Sequence, residues 1–210
     1  MRRLQFLALL GRVQTGWVSM SRTPVGLAEE GRDMPPKNIH VLGIDPGGTT
    51  GWYCMTVPRD CIFSDGPSRI VEHDWGEFTG PLARQSIEIA RLTREIQSLD
   101  FRVGPAMIVE AWDQDPHFKS TDPEALSPVR IGAQLELLRE QKQLNDATLT
   151  FQSRTLAFTT ATDERLHKWR LWVQGSDHVR AALRHTITAL RRARENEEFA
   201  HSLWPYLEFY

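Results

Sequence analysis

The sequence predicts an α/β fold, a mixed β-sheet covered by helices. Two observations carry this expectation. Three segments of strand character come first, separated by turns rich in Gly and Pro. Strand and helix patterns then alternate, so the later strands are reached through crossover helices. The 210 residues are 40% hydrophobic and 25% charged, which suits one globular domain with appendages.

Residues 1–37 read as an extension, disordered or a misassigned start. The apolar run Leu4 to Leu10 behind Arg2 and Arg3 is too short to span a membrane. No clear small-residue cleavage site follows it, which weakens a secretory signal, and a basic, acid-free leader also resembles an organelle transit peptide. Pro24, Gly26, Gly31, Pro35 and Pro36 then punctuate the chain without an amphipathic period. Met20 and Met34 stand as alternative starts, because the folded pattern begins only at about Asn38. The expected domain therefore covers residues 38–196, with residues 197–210 as a C-terminal tail.

Ile39 to Asp45 reads as a buried strand, Gly47-Gly48 as a turn, and Thr50 to Val57 as the second strand of a hairpin. Arg69 to Phe78 reads as a third strand. Pro81 to Leu99 is the clearest helix, with Ile87, Ala90, Leu92, Ile96 and Leu99 approximating one face. The compact run Ala106 to Val109, ending in Glu110, suits a central parallel strand. A polar loop over 113–128 leads to a helix over Val129 to Leu144, followed by a short strand over Thr148 to Gln152. Thr162 to Trp172 reads as a short helix, with Asp163 and Glu164 placed to suit its dipole. Gly175 breaks it, and Ser176 can cap a last long helix from Asp177 to about Glu195.

The two cysteines, Cys54 and Cys61, have no zinc-type partners and are too few for a disulfide scaffold. They read as reduced, mostly buried thiols of a cytosolic protein. The net charge of −2 gives no general support for nucleic-acid binding. Locally the balance differs. From residue 151 to 195, Arg154, Arg165, Lys168, Arg170, Arg180, Arg184, Arg191, Arg192 and Arg194 face only Asp163, Glu164, Asp177 and Glu195, an excess of five positive charges. That excess is what phosphate contacts require, although a solvated helix face reads the same way.

Several groups fall where chemistry is usually placed. Asp45 ends the first strand, Glu110 ends the fourth, and Asp177 and His178 open the last long helix. If the first and fourth strands are neighbours, both carboxylates project from one sheet edge and His178 can be brought against them. Converging oxygen ligands are what Mg²⁺ needs, and two such ions could activate water and stabilise the leaving oxygen of a phosphodiester. A lone strand-end carboxylate is more often a cap or surface group. Two of them, one followed by Pro46-Gly47-Gly48-Thr49-Thr50-Gly51, carry more weight.

The run Gly43-Ile44-Asp45-Pro46-Gly47-Gly48-Thr49-Thr50-Gly51-Trp52 resembles the first motif of RuvC-like Holliday junction resolvases of the RNase H-like superfamily. Ile108-Val109-Glu110 resembles their second motif. The stretch from Gly175 to His185 resembles the third, especially in versions from bacteriophages of actinobacteria, and Ser127 to Gly132 resembles a helix start in those proteins. The resemblance covers about residues 39–195. It implies an RNase H-like fold with a central five-stranded mixed sheet, and a homodimer. It implies Mg²⁺-dependent nicking of branched DNA such as four-way junctions, with Mn²⁺ as a substitute, in the cytoplasm of a bacterial host. Asp45 and Glu110 would be metal ligands, and His178 a ligand or a proton-transfer group.

One departure matters. The family usually has an acid three residues after this histidine, and here that position is Ala181. Asp177 could compensate as a catalytic and metal-binding residue, although one residue turns a helix by about 100°. Otherwise the site runs on fewer ligands, or the chain binds junctions without cutting them. An actin-like phosphate-binding ATPase or kinase shares the opening motif, but no second Asp-x-Gly-Thr run occurs. For DNA binding the candidates are Phe118, placed to stack on an unpaired base, with Lys119, Arg154, Lys168, Arg180 and Arg184. Trp169 and Trp172 read as core or dimer contacts, His167 has no obvious partner, and His185 is given a structural or supporting role.

Overall fold

The computed structural model describes residues 38–59, 70–99, 104–112 and 125–207. The extension over 1–37, Cys61, Phe118 and Lys119 lie outside the described residues.

Five strands form one mixed sheet: β1 (Asn38–Asp45), β2 (Thr50–Pro58), β3 (Glu72–Phe78), β4 (Ala106–Ala111) and β5 (Thr148–Ser153). Their spatial order is β3-β2-β1-β4-β5. The first three pair antiparallel, while β1–β4 and β4–β5 pair parallel. Among the described residues six helices accompany them: α1 (Leu82–Gln97), α2 (Ser127–Glu140), α3 (Arg154–Thr160), α4 (Asp163–Lys168), α5 (Asp177–Glu195) and α6 (Glu197–Leu203).

Side chains alternate along the strands, so each strand serves two faces. Ile39, Val41, Tyr53, Met55, Ala106 and Ile108 pack with Ala182, Leu183 and Ile187 of α5. Leu42, Ile44, Met107 and Val109 point the other way and are equally buried. There α2 approaches β4 and packs against α1. The inward face of α1 is Ile89, Leu92 and Ile96 with Gln85, Ser86 and Thr93. Ile87 and Leu99, expected on that face, are exposed. Ile87 stands nine residues from Ile96, about half a turn round the helix, and Leu99 lies beyond the last helical residue, Gln97.

Two segments differ from the expected elements. The chain enters α3 directly from β5, where the Ser153 hydroxyl accepts from Leu156 N at 3.2 Å. That capping serine and the Thr-rich helix behind it escaped a reading based on apolar period. The residues read as a tail carry α6, whose Ala200 and Leu203 join the main core together with the fully buried Trp204. Thr148 donates to the Leu203 carbonyl at 2.8 Å, tying this end to β5.

Helix α5 lies directly on the sheet. Ser176 caps it, accepting from Val179 N at 3.0 Å, and the N-cap side chain satisfies one of the first-turn donors. Two glycines permit the close approach. A Cβ on Gly43 would overlap the Ala182 carbonyl and the Thr186 hydroxyl, and one on Gly51 would overlap the His178 backbone. Gly51 is the antiparallel partner of Asp45, so the start of α5 is laid beside the end of β1.

Candidate active site

Strand register assembles the site. Ile44 pairs with Val109, so Asp45 and Glu110 each stand one residue further along neighbouring parallel strands. Glu110 pairs in turn with Gln152 of β5. Asp45, Glu110 and Gln152 thus form a row across β1, β4 and β5 on the face that α5 covers.

Helix α5 brings two imidazoles down onto this row. His178 Nδ1 lies 2.8 Å from Asp45 Oδ2. His185 Nε2 lies 3.1 Å from Glu110 Oε2. The two histidines are seven residues apart, two turns along one helix face. Ala181, on that same face between them, is buried at 2% exposure.

Arg154, the first residue of α3, reaches back to Glu110. Its guanidinium nitrogen donates to Oε1 at 3.2 Å and to Oε2 at 3.4 Å, while its guanidinium carbon sits 4.4 Å from the centre of the Phe158 ring. On β5, Gln152 Nε2 is 3.0 Å from His185 Nδ1 and donates to the His185 carbonyl at 3.4 Å.

The carboxyls differ in charge state. Burial, and then the negative charge of Glu110, pushes Asp45 up to about 7 despite His178 and Arg154. Burial also works against Glu110, but His185 and the Arg154 guanidinium outweigh it and hold its carboxyl below the usual range. A buried and a partly buried carboxylate on neighbouring strands repel each other unless a cation or a proton intervenes. A small divalent cation fits that demand, because Mg²⁺ is commonly held by one or two carboxylates with water and phosphate completing its shell. Among the described residues no three His, Cys, Asp or Glu side chains are grouped to hold an ion alone.

The remaining sequence candidates fall elsewhere. Asp177 does not join the row: its side chain is 92% exposed and pairs with Arg180 one turn on. The single-residue offset from His178 turns it out of the site, as helix geometry requires. Arg180 also donates to the Val173 carbonyl at 2.8 Å and lies 4.7 Å from the Trp172 ring centre. Arg184 is only 5% exposed. It donates to the Ala161 carbonyl at 2.9 Å, pairs with Asp163 and stacks on Phe158 at 4.3 Å. Arg180 and Arg184 therefore serve packing inside the chain, whereas Arg154 and Lys168 are exposed. Trp169 and Trp172 pack partly buried against the core, and His167 stacks on Trp172 with ring centres 4.2 Å apart.

Reasoning from the sequence placed Asp45, Glu110 and His178 at element ends. It missed the direct contacts of His185 and Arg154 with Glu110, and Gln152 altogether. The seven-residue spacing of the histidines was a usable signal, but Gln152 emerges only from the β4–β5 register.

No protein-family profile matches the sequence, and no curated protein matches it. Solved structures similar to the chain include two of Thermus thermophilus RuvC. A structure of Thermus thermophilus RuvC superposes with a TM-score of 0.51 at 17% identity, over 75% of this chain and 96% of that one. T. thermophilus RuvC in complex with Holliday junction substrate gives a TM-score of 0.50 at 13% identity, with the same coverage. The five-stranded mixed sheet and its flanking helices thus share the α/β fold of these two structures.

Proposed function

We infer that the chain is a divalent-metal-dependent endonuclease that nicks branched DNA, four-way junctions foremost. The observation that carries this reading is the row of Asp45 and Glu110 on neighbouring parallel strands, met by His178 and His185 from one helix face. A bound Mg²⁺ or Mn²⁺ would be held by Asp45 and Glu110 and would supply charge neutralisation at the phosphodiester and acidification of water.

The chain's own residues do the rest. His178 holds Asp45 Oδ2 and is itself half-exposed, so its ring meets solvent beside that carboxylate. Arg154 offers an exposed guanidinium beside Glu110, suited to a phosphate oxygen. Symmetric cutting of a four-way junction needs two copies of this site, so the reading includes a homodimer.

A second reading, junction binding without cleavage, is favoured by Ala181. That buried methyl occupies the site-facing position between the two histidines, where a third carboxylate would complete a larger ligand set. A synthetic four-way junction incubated with Mg²⁺ or Mn²⁺, beside a linear duplex, separates the two. Metal-dependent nicking of the junction supports the first, and binding without nicking in either metal supports the second.

A further inference from the structure

We propose that Gln152 and His185 are a positioning pair that presents Glu110 to a divalent cation in one fixed orientation. This role rests on the metal-site reading above. It is carried by a hydrogen-bond chain, Gln152–His185–Glu110, running between β5, α5 and β4, buried at Gln152 and His185 and partly buried at Glu110.

The direction of the chain follows from its chemistry. The same Gln152 nitrogen faces His185 Nδ1 at 3.0 Å and the His185 carbonyl oxygen at 3.4 Å. A carbonyl oxygen can only accept, so the group facing both is the amide N–H₂. Nδ1 of His185 then accepts, and the proton of a neutral imidazole resides on Nε2. That N–H points at Glu110 Oε2, 3.1 Å away. Oε2 is thereby held from the α5 side, while Arg154 approaches from α3.

Burial argues that this chain serves more than packing. His185 is fully buried, and Gln152 nearly so. Gln152 Oε1 is buried with no hydrogen-bond partner among the described residues. Leaving a buried carbonyl unpaired is costly, so a methionine of similar length would suit stability as well or better. The amide is explained by what its nitrogen does to His185. Outer partners of this kind orient metal ligands, and their loss typically weakens metal binding about 10- to 100-fold.

The test combines two readouts on the full chain. Imidazole ¹⁵N shifts of the metal-free protein report which His185 nitrogen carries the proton, and calorimetric titration with Mn²⁺ reports affinity. The expected wild-type state is Nε2–H. Gln152→Met is expected to keep the melting temperature, lose the single tautomer and weaken Mn²⁺ binding about tenfold or more. Gln152→Glu, an acceptor only, should draw the proton to Nδ1 and weaken Mn²⁺ binding as well. An Nδ1–H tautomer in the wild type overturns the proposal without any variant having to fold. So does unchanged Mn²⁺ affinity in both variants. If the wild type binds no Mn²⁺ while the Nε2–H tautomer is present, the metal-site reading itself fails, and the positioning role falls with it.

Discussion

Asp45 is the residue on which pH acts most directly. Its acid is raised from an ordinary 3.8 to about 7, by burial first and Glu110 second. A group raised in the folded state contributes stability that is fully present below its unfolded pKa and is lost as pH rises through the folded one. The metal-free chain should therefore lose stability between about pH 4 and pH 7, by at most roughly 4 kcal/mol from this group. Urea unfolding at pH 5 and pH 8.5 measures the loss. Asp45→Asn should flatten that slope, and saturating Mg²⁺ should offset it in the wild type, because metal binding displaces the proton. A slope unchanged by Asp45→Asn would remove Asp45 as its source.

The neighbouring positions Asp177 and Ala181 make opposite predictions. Asp177 points to solvent, so Asp177→Ala should leave Mn²⁺ affinity within about twofold, an energy under ~0.5 kcal/mol. Ala181 faces the row, so Ala181→Asp should tighten Mn²⁺ binding and lower the melting temperature of the metal-free protein, with Mg²⁺ restoring it. Calorimetry and thermal melts check both. Tighter binding lost in Asp177→Ala would show that the helix face has been misassigned.

Among the elements, α5 governs the site. Its placement depends on Gly43 and Gly51, where added methyl groups would overlap helix backbone. Gly51→Ala should cost about 1–3 kcal/mol and displace His178 from Asp45. Gly48→Ala, with open space around it, should stay within about 0.5 kcal/mol. Denaturation midpoints compare the two, and equal effects would refute the docking role of Gly51.

Legibility in the sequence divides along these lines. The strands of the hairpin, β4, α1 and α5 were readable, because apolar period, turn residues and the Ser176 cap are local signals. The face of α1, helix α3 and helix α6 were not, because tertiary packing decided them. Asp45, Glu110 and His178 announce themselves at element ends. Gln152 and the Glu110 contact of Arg154 do not, since the parallel β4–β5 register alone brings β5 and the start of α3 beside Glu110. The acid Asp177 was a tempting ligand by composition, and helix geometry turned it away.

For the whole molecule, the basic excess over 151–195 is partly consumed inside the fold. Arg165 donates to the Thr159 and Thr160 carbonyls at 3.2 and 2.6 Å, and Arg192 lies 4.0 Å from the Phe199 ring centre. No helix among the described residues is long and apolar enough to cross a membrane. Phosphate contact should therefore fall to exposed groups such as Arg154. Arg154→Ala should reduce the salt dependence of junction binding by about one phosphate contact. Arg184→Ala should instead lower the melting temperature and leave the salt slope unchanged. Fluorescence anisotropy over a salt series distinguishes the two, and a reduced slope in Arg184→Ala alone would reverse the assignment.

The central claim, that Asp45 and Glu110 form a metal-dependent cutting centre for branched DNA, is tested most directly by one paired assay. Wild type and Asp45→Asn are incubated with a labelled four-way junction in Mg²⁺ or Mn²⁺, and binding and nicking are read from the same samples. The expected result is metal-dependent nicking by the wild type, with Asp45→Asn binding the junction nearly as well and nicking at background. Nicking that survives in Asp45→Asn, or a wild type that binds and never cuts in either metal, would contradict it.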